Sequence, residues 1–157
     1  GGDGLPLASF LGVVKRQCAS GRGGRVPLAR FLMDQSKTAG IGNYILSEIL
    51  YKARVYPWAA CRDLDNDDWV ELHAAAQETI KASYTAQAEL ATANGEGSLS
   101  ATRGTFEAIQ PSFRLEVYRR EVATDGGKVL AAEGPHGRTI FWVPERQVRA
   151  RCAGREP

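Results

Sequence analysis

The chain has 157 residues, 43% of them hydrophobic and 24% charged, with a net charge of +2, a composition that suits one globular domain or two small subdomains and argues against overall disorder. No apolar run approaches the roughly 20 residues that span a bilayer, and no charged-then-apolar signal segment opens the chain, so a soluble, intracellular protein with no membrane partner is expected. Cys18, Cys61 and Cys152 are odd in number and far apart, which points to reduced thiols, not a disulfide framework.

From Pro6, the residues Leu7, Phe10, Leu11 and Val14 recur at helical spacing, with proline where a first turn tolerates it. Glycines around Arg22 break the pattern over Ala19 to Gly24, which reads as a flexible basic loop. Pro27 then starts a second helix through Leu28, Phe31 and Leu32. A Gly40-Ile41-Gly42-Asn43 turn follows, and Ile45, Ile49 and Leu50 share a face of a third helix expected to end near Tyr56-Pro57. Asp65 or Asn66 can cap a longer fourth helix, with Asp67 and Asp68 in its first turn and Trp69, Leu72, Ala76 and Ile80 as its buried stripe. Residues 93–104 lack periodicity and read as a loop. Beyond it, alternation predicts strands over Phe113–Val122, Lys128–Ala132 and Thr139–Val143, with turns at Asp125-Gly126-Gly127 and at Gly134 to Gly137. The expected fold is therefore mainly α with a small antiparallel β part.

Charge separates along the chain. Residues 1–62 carry nine basic side chains against three acidic, whereas residues 63–104 carry eight acidic against two basic. A basic first half suits a polyanion, nucleic acid above all; a solvated helix face is the common alternative. The glycine turn fits the first account, because Gly40 and Gly42 free backbone amides while Asn43 opens a helix whose N-terminus favours anions, with Lys37 adding a charge. The same turn also serves as a helix connection that needs only glycine. The acids from Asp63 to Asp68 lack the glycine and terminal glutamate of a calcium loop, and capping accounts for them better. His73 and His136 have no catalytic partner discernible in sequence.

The stretch Met33–Tyr51, continued by Lys52-Ala53-Arg54-Val55-Tyr56-Pro57, resembles the helix-two-turns-helix (H2TH) segment of formamidopyrimidine-DNA glycosylases and endonuclease VIII-like enzymes, which commonly closes with an A-x-(I/V)-x-P ending. A second stretch agrees in order: Leu115-Glu116-Val117-Tyr118-Arg119-Arg120 resembles the strand that enters the family's DNA-binding finger, and Gly137-Arg138-Thr139 with Val143-Pro144-Glu145 resembles its tip and exit. The likeness covers roughly residues 5–149 and is nearest to the plant, fungal and viral members whose finger lacks zinc. It implies an H2TH DNA-binding domain over residues 1–92, a loop over 93–104 in the place of the family's base-capping loop, a zincless β-hairpin finger over 105–149 and a basic tail over 150–157.

The family excises oxidised bases, so the resemblance implies duplex DNA carrying damaged bases or abasic sites as the partner. It assigns phosphate contacts to Asn43 with Gly40 and Gly42, and to Arg138 with Thr139 at the finger tip. Lys37 stands one place beyond the lysine of many bacterial members, where this chain has Ser36 as plant relatives tend to, so it is either a shifted phosphate contact or a solvated lysine. Zinc and other cofactors are not expected, because a structural site needs four Cys or His ligands and the finger offers only His136. Packing by Tyr118, Phe141, Trp142 and Val143 would hold the hairpin instead. The family's nucleophile is an N-terminal proline amine followed by glutamate on a β-sandwich domain. This chain opens Gly1-Gly2-Asp3 and its only methionine is Met33, so it is expected to be the C-terminal part of a longer protein, with no catalytic residue of its own. A non-catalytic DNA-binding or architectural module of the same fold is the alternative.

Overall fold

A computed structural model describes residues 5–39, 43–93 and 114–152, and within these all side chains except those of 36–39, 43 and 87–93. Gly40 and Gly42, the segment 94–113 and the tail from 153 lie outside the described residues, as do the side chains of Lys37 and Asn43.

Among the described residues five α-helices precede one hairpin: α1 (Leu7–Gln17), α2 (Gly21–Gly24), α3 (Leu28–Ala39), α4 (Asn43–Lys52), α5 (Asn66–Ala93), then strands β1 (Leu130–Glu133) and β2 (Thr139–Trp142). The fold is mainly α with a small β part. The strands pair antiparallel, Leu130 opposite Trp142 through Glu133 opposite Thr139. Among the described residues no helix is long and apolar enough to cross a membrane.

Helix α4 is the centre of the molecule. Every residue from Ile45 to Tyr51 is buried, because α3, α5 and β2 each pack against it. Its apolar side chains join Val14, Phe31, Trp69 and Leu72 from the other helices and Ile140 and Trp142 from the hairpin in one core. Trp69 is wedged edge-on between Phe10 and Phe31, with ring centroids 5.9 and 5.7 Å away. The indole of Trp142 closes against Tyr56 and Trp58 at 5.6 and 5.1 Å. Helices and hairpin therefore share a core and are not separate packing units.

The helix starts follow the capping expected from sequence, with more detail. Asp65 and Asp68 bond reciprocally, each carboxylate accepting the other's backbone N–H at 2.8 and 2.9 Å, and so form a capping box at the start of α5. The first amides of α3, at Leu28 and Ala29, donate to the carbonyls of Ala59 and Pro57 at 2.7 and 2.9 Å, which satisfies donors that a helix start leaves open.

Four expectations are corrected. The predicted basic loop over Ala19 to Gly24 contains a helical turn, because the Ser20 hydroxyl accepts the Gly23 N–H and caps it. Gly23 is required there: a Cβ would lie 2.1 Å from the Gln17 carbonyl oxygen. The third helix stops at Lys52 and does not reach Tyr56. Arg54 takes a left-handed φ of 60°, its N–H bonds to the Tyr51 carbonyl and the Val55 N–H to that of Leu50, which is a Schellman ending with arginine in the usual place of glycine.

The predicted strand Phe113–Val122 is not a strand over its described residues; it turns at Val117–Arg120, with Arg119 at φ 57°. Its amides are aimed at the Glu48 carboxylate and not into a ladder, leaving a single bridge from Val122 to Lys128. The strand predicted at Lys128–Ala132 begins two residues later, at Leu130.

Candidate nucleic-acid interface

The hairpin lies along α4, and two contacts fix how. The Phe141 N–H donates to the Ser47 hydroxyl at 3.2 Å, and Val143 packs in one cluster with Tyr51, one helical turn further on. Strand β2 thus runs in the same sense as α4. Stepping back two residues along the strand, about 7 Å, and four along the helix, about 6 Å, brings the backbone of Thr139 level with Asn43 at the helix start. Arg138 lies just beyond that end.

The hairpin tip is tied to α3, the helix that precedes residues 40–42. His136 Nε2 lies 3.0 Å from Asp34 Oδ1 on α3, three positions before Lys37 in the sequence of that helix. His136 (φ 59°, ψ 28°) and Gly137 (φ 71°) are the central residues of a turn closed by the Arg138 N–H on the Pro135 carbonyl at 3.1 Å. That is the type I′ geometry whose twist matches a hairpin. Arg138 is exposed. Strand alternation puts it on the face of β2 that carries Ile140 and Trp142, the face turned to the helices.

A third segment reaches the same end of α4. The Glu48 carboxylate accepts the backbone N–H groups of Glu116, Val117 and Tyr118 at 2.7, 3.0 and 3.0 Å. Tyr118 is thereby held between Tyr44, the residue after Asn43, and Phe141, with centroids 5.9 and 5.2 Å away. Arg119 stacks over the Tyr118 ring at 5.3 Å and is exposed. Burial pushes the Glu48 carboxyl above its ordinary range, although the three amides oppose that shift. The Tyr44 hydroxyl is pushed up as well, again chiefly by burial.

The sequence-predicted residues thus fall in two groups. Backbone placement brings Asn43, Arg138 and Thr139 to one end of α4, and the Asp34–His136 contact brings the helix that carries Lys37 to the same region. Gly40 and Gly42 lie outside the described residues. Glu48 and Arg119 were missed. The signal for Glu48 was present, since it is the one acid within the apolar run from Tyr44 to Tyr51 and a buried charge requires partners.

The far end of α4 has a different character. Asp125 bonds Arg54 at 3.3 Å and Arg146 at 3.2 Å; the Tyr51 hydroxyl, the Gly127 N–H and Arg146 hold its carboxyl well below the usual carboxylate range. Fully buried Gln147 accepts the Val143 N–H at 2.7 Å and donates to the Val55 carbonyl at 3.2 Å, clamping the hairpin exit to the end of α4. The hairpin's histidine is occupied by Asp34, and no group of three Cys, His, Asp or Glu side chains among the described residues is arranged to hold a metal ion.

Residues 12–94 match the formamidopyrimidine-DNA glycosylase H2TH domain family. The chain is 31% identical over 124 residues to the formamidopyrimidine-DNA glycosylase of Arabidopsis thaliana, covering 78% of this chain and 28% of that protein. It is 37% identical over 119 residues to that of Methylobacterium sp. (strain 4-46), covering 74% and 37%. In fold it is similar to a viral DNA glycosylase, with a TM-score of 0.70 and 21% identity over 91% of this chain and 46% of the other. It is also similar to Lactococcus lactis Fpg (MutM) in complex with a FAPY-dG-containing DNA, with a TM-score of 0.64 and 19% identity over 90% and 47%. The chain spans less than half the length of each of these proteins.

Proposed function

The chain belongs to the formamidopyrimidine-DNA glycosylase H2TH family, and from that premise we propose that it is the damaged-DNA-binding half of a base-excision-repair glycosylase and AP lyase for oxidised bases. In this reading residues 1–92 supply a phosphate cradle, residues 105–149 supply a zincless finger, and an upstream β-sandwich domain supplies the catalytic amine. The observation that carries it is the convergence of the α4 N-terminus and the hairpin tip. The first turn of α4 contains no acid, its amides and macrodipole favour a phosphate, and Asn43 stands where an amide side chain donates to one.

Arg138, reaching from the hairpin to the same region, has the planar fork that suits a second phosphate. Two grips on one backbone hold a bent duplex. Bending and phosphate contact together help offset the few kcal/mol needed to extrude a base. Thr139 contributes a hydroxyl beside Arg138, and Lys37 on α3 is either a further phosphate contact or a solvated lysine. Soluble, intracellular localisation, in the nucleus or a DNA-containing organelle if the source is eukaryotic, accompanies this reading.

Asn43→Ala and Arg138→Ala are expected to weaken duplex binding across sequences, and Arg138→Ala, which removes a charge, also to lower the slope of log affinity against log salt by about one. Unchanged affinity and slope in both variants would refute the assignment. Borohydride trapping on a duplex with an abasic site, run beside the titration, is expected to show binding without a covalent adduct; an adduct would place a reactive amine within these residues. Chelators are expected to leave folding and binding unchanged.

A further inference from the structure

We propose that His136 is a positioning residue whose bond to Asp34 sets the hairpin tip, and Arg138 with it, against α3, so that imidazole protonation tightens the grip on duplex DNA. The inference rests on the DNA-binding reading above. The contact joins residues 102 apart in sequence, and a single glycine separates His136 from Arg138.

The backbone at this site makes the side chain's role specific. His136 sits at φ 59°, where a Cβ is strained and glycine is not. Nothing in the I′ turn requires an imidazole; its bond to Asp34 offsets the strain. Replacement by glycine therefore relaxes the turn while deleting the tether, and this separates a positioning role from a merely structural one.

Among the described side chains the charged groups near the imidazole are Asp34, with Arg30 four residues before it on α3, and Glu133 and Arg138 on the hairpin. Asp34, at 3.0 Å, attracts the protonated ring, and the cations repel it. A phosphate arriving at Arg138 neutralises part of that repulsion, so DNA binding favours protonation and, by linkage, protonation favours binding. Both partners are about 40% exposed (39% for His136 and 45% for Asp34). Solvent screening therefore limits the gain to about two- to fivefold.

The test is a titration of an abasic-site duplex at fixed salt, near pH 5.5 and near pH 8 on either side of the ordinary histidine range, with wild type, His136→Gln, His136→Gly and Asp34→Asn. Wild type is expected to bind about two- to fivefold more tightly at the acid pH, and all three variants to lose that increment. His136→Gly should also melt at or above the wild-type temperature. Acid-enhanced binding that survives in Asp34→Asn would mean that the imidazole meets phosphate directly and would overturn the inference, as would pH-independent binding by wild type. No duplex binding by wild type at either pH would refute the DNA-binding reading itself, and this inference with it.

Discussion

Glu48→Gln isolates the contact that attaches the segment before the hairpin to the helices. The carboxylate is 5% exposed and is the acceptor for three successive amides, Oε1 for Glu116 and Oε2 for Val117 and Tyr118. Glutamine offers one oxygen. Oriented toward Val117 and Tyr118, it keeps two bonds and sets its own NH2 against the part-buried Glu116 N–H, so that two donors oppose each other, at about 1–3 kcal/mol for each one left unsatisfied. Removal of a buried charge works the other way. Because burial raises the carboxyl of Glu48 above its unfolded value, the group's stabilising contribution is fully present below the unfolded glutamate range, about pH 4.3, and is lost as pH rises through the folded value. Glutamine has no such loss. The destabilisation is thus expected to be largest in acid and to shrink toward neutrality, with about 2–4 °C of melting temperature for each kcal/mol. Thermal melts across this pH range, with amide hydrogen exchange read at Glu116, Val117 and Tyr118, measure both parts. Wild-type melting and unchanged exchange at all three amides would refute the reasoning.

The clamp at the other end of α4 is expected to be costlier to break: Gln147→Leu orphans the Val143 N–H and the Val55 carbonyl in a fully buried site, roughly 2–6 kcal/mol at about 1–3 per group, measurable by urea denaturation. Asp125→Asn tests the neighbouring ion pairs. The depressed carboxyl of Asp125 gives stability that is present above the unfolded value of about 3.9 and lost as pH falls through the folded one, so variant and wild type should differ by about 1 kcal/mol at neutral pH and converge in strong acid. Cys61 is buried and its thiol is pushed up to about 12, first by burial. A thiol reagent at neutral pH should therefore label exposed Cys152 first and Cys61 only on unfolding, and labelling of Cys61 in the native protein would show that the core opens there.

Sequence periodicity identified α1, α3, α4 and α5 because each has a single apolar face or, in α4, an apolar run bounded by glycines and a proline; it missed α2, a glycine-rich turn with no apolar face. It found the hairpin because glycine turns bracket alternating residues. It failed where one side chain decides the backbone. The segment 114–122 alternates like a strand, yet its amides follow Glu48, which lies 68 to 70 positions earlier than the residues it bonds; no local pattern encodes that partner. Pro57 looked like the end of α4, but Arg54 stops the helix first because its guanidinium lies 4.5 Å over the Tyr51 ring and bonds Asp125, tertiary contacts that offset a left-handed backbone.

The candidate site shows the same division. Their motifs single out Asn43 and Arg138 as candidates, but no motif encodes their proximity, because it depends on Ser47, Asp34 and Glu48, none of which carries a DNA-binding signature. Those three side chains join β2, the hairpin tip and the 116–118 segment to the two helices that flank the glycine turn. A phosphate site assembled from a helix start and a hairpin tip is only as exact as the contacts that hold one against the other. Weakening these supports should therefore loosen DNA binding while leaving every proposed phosphate ligand in place.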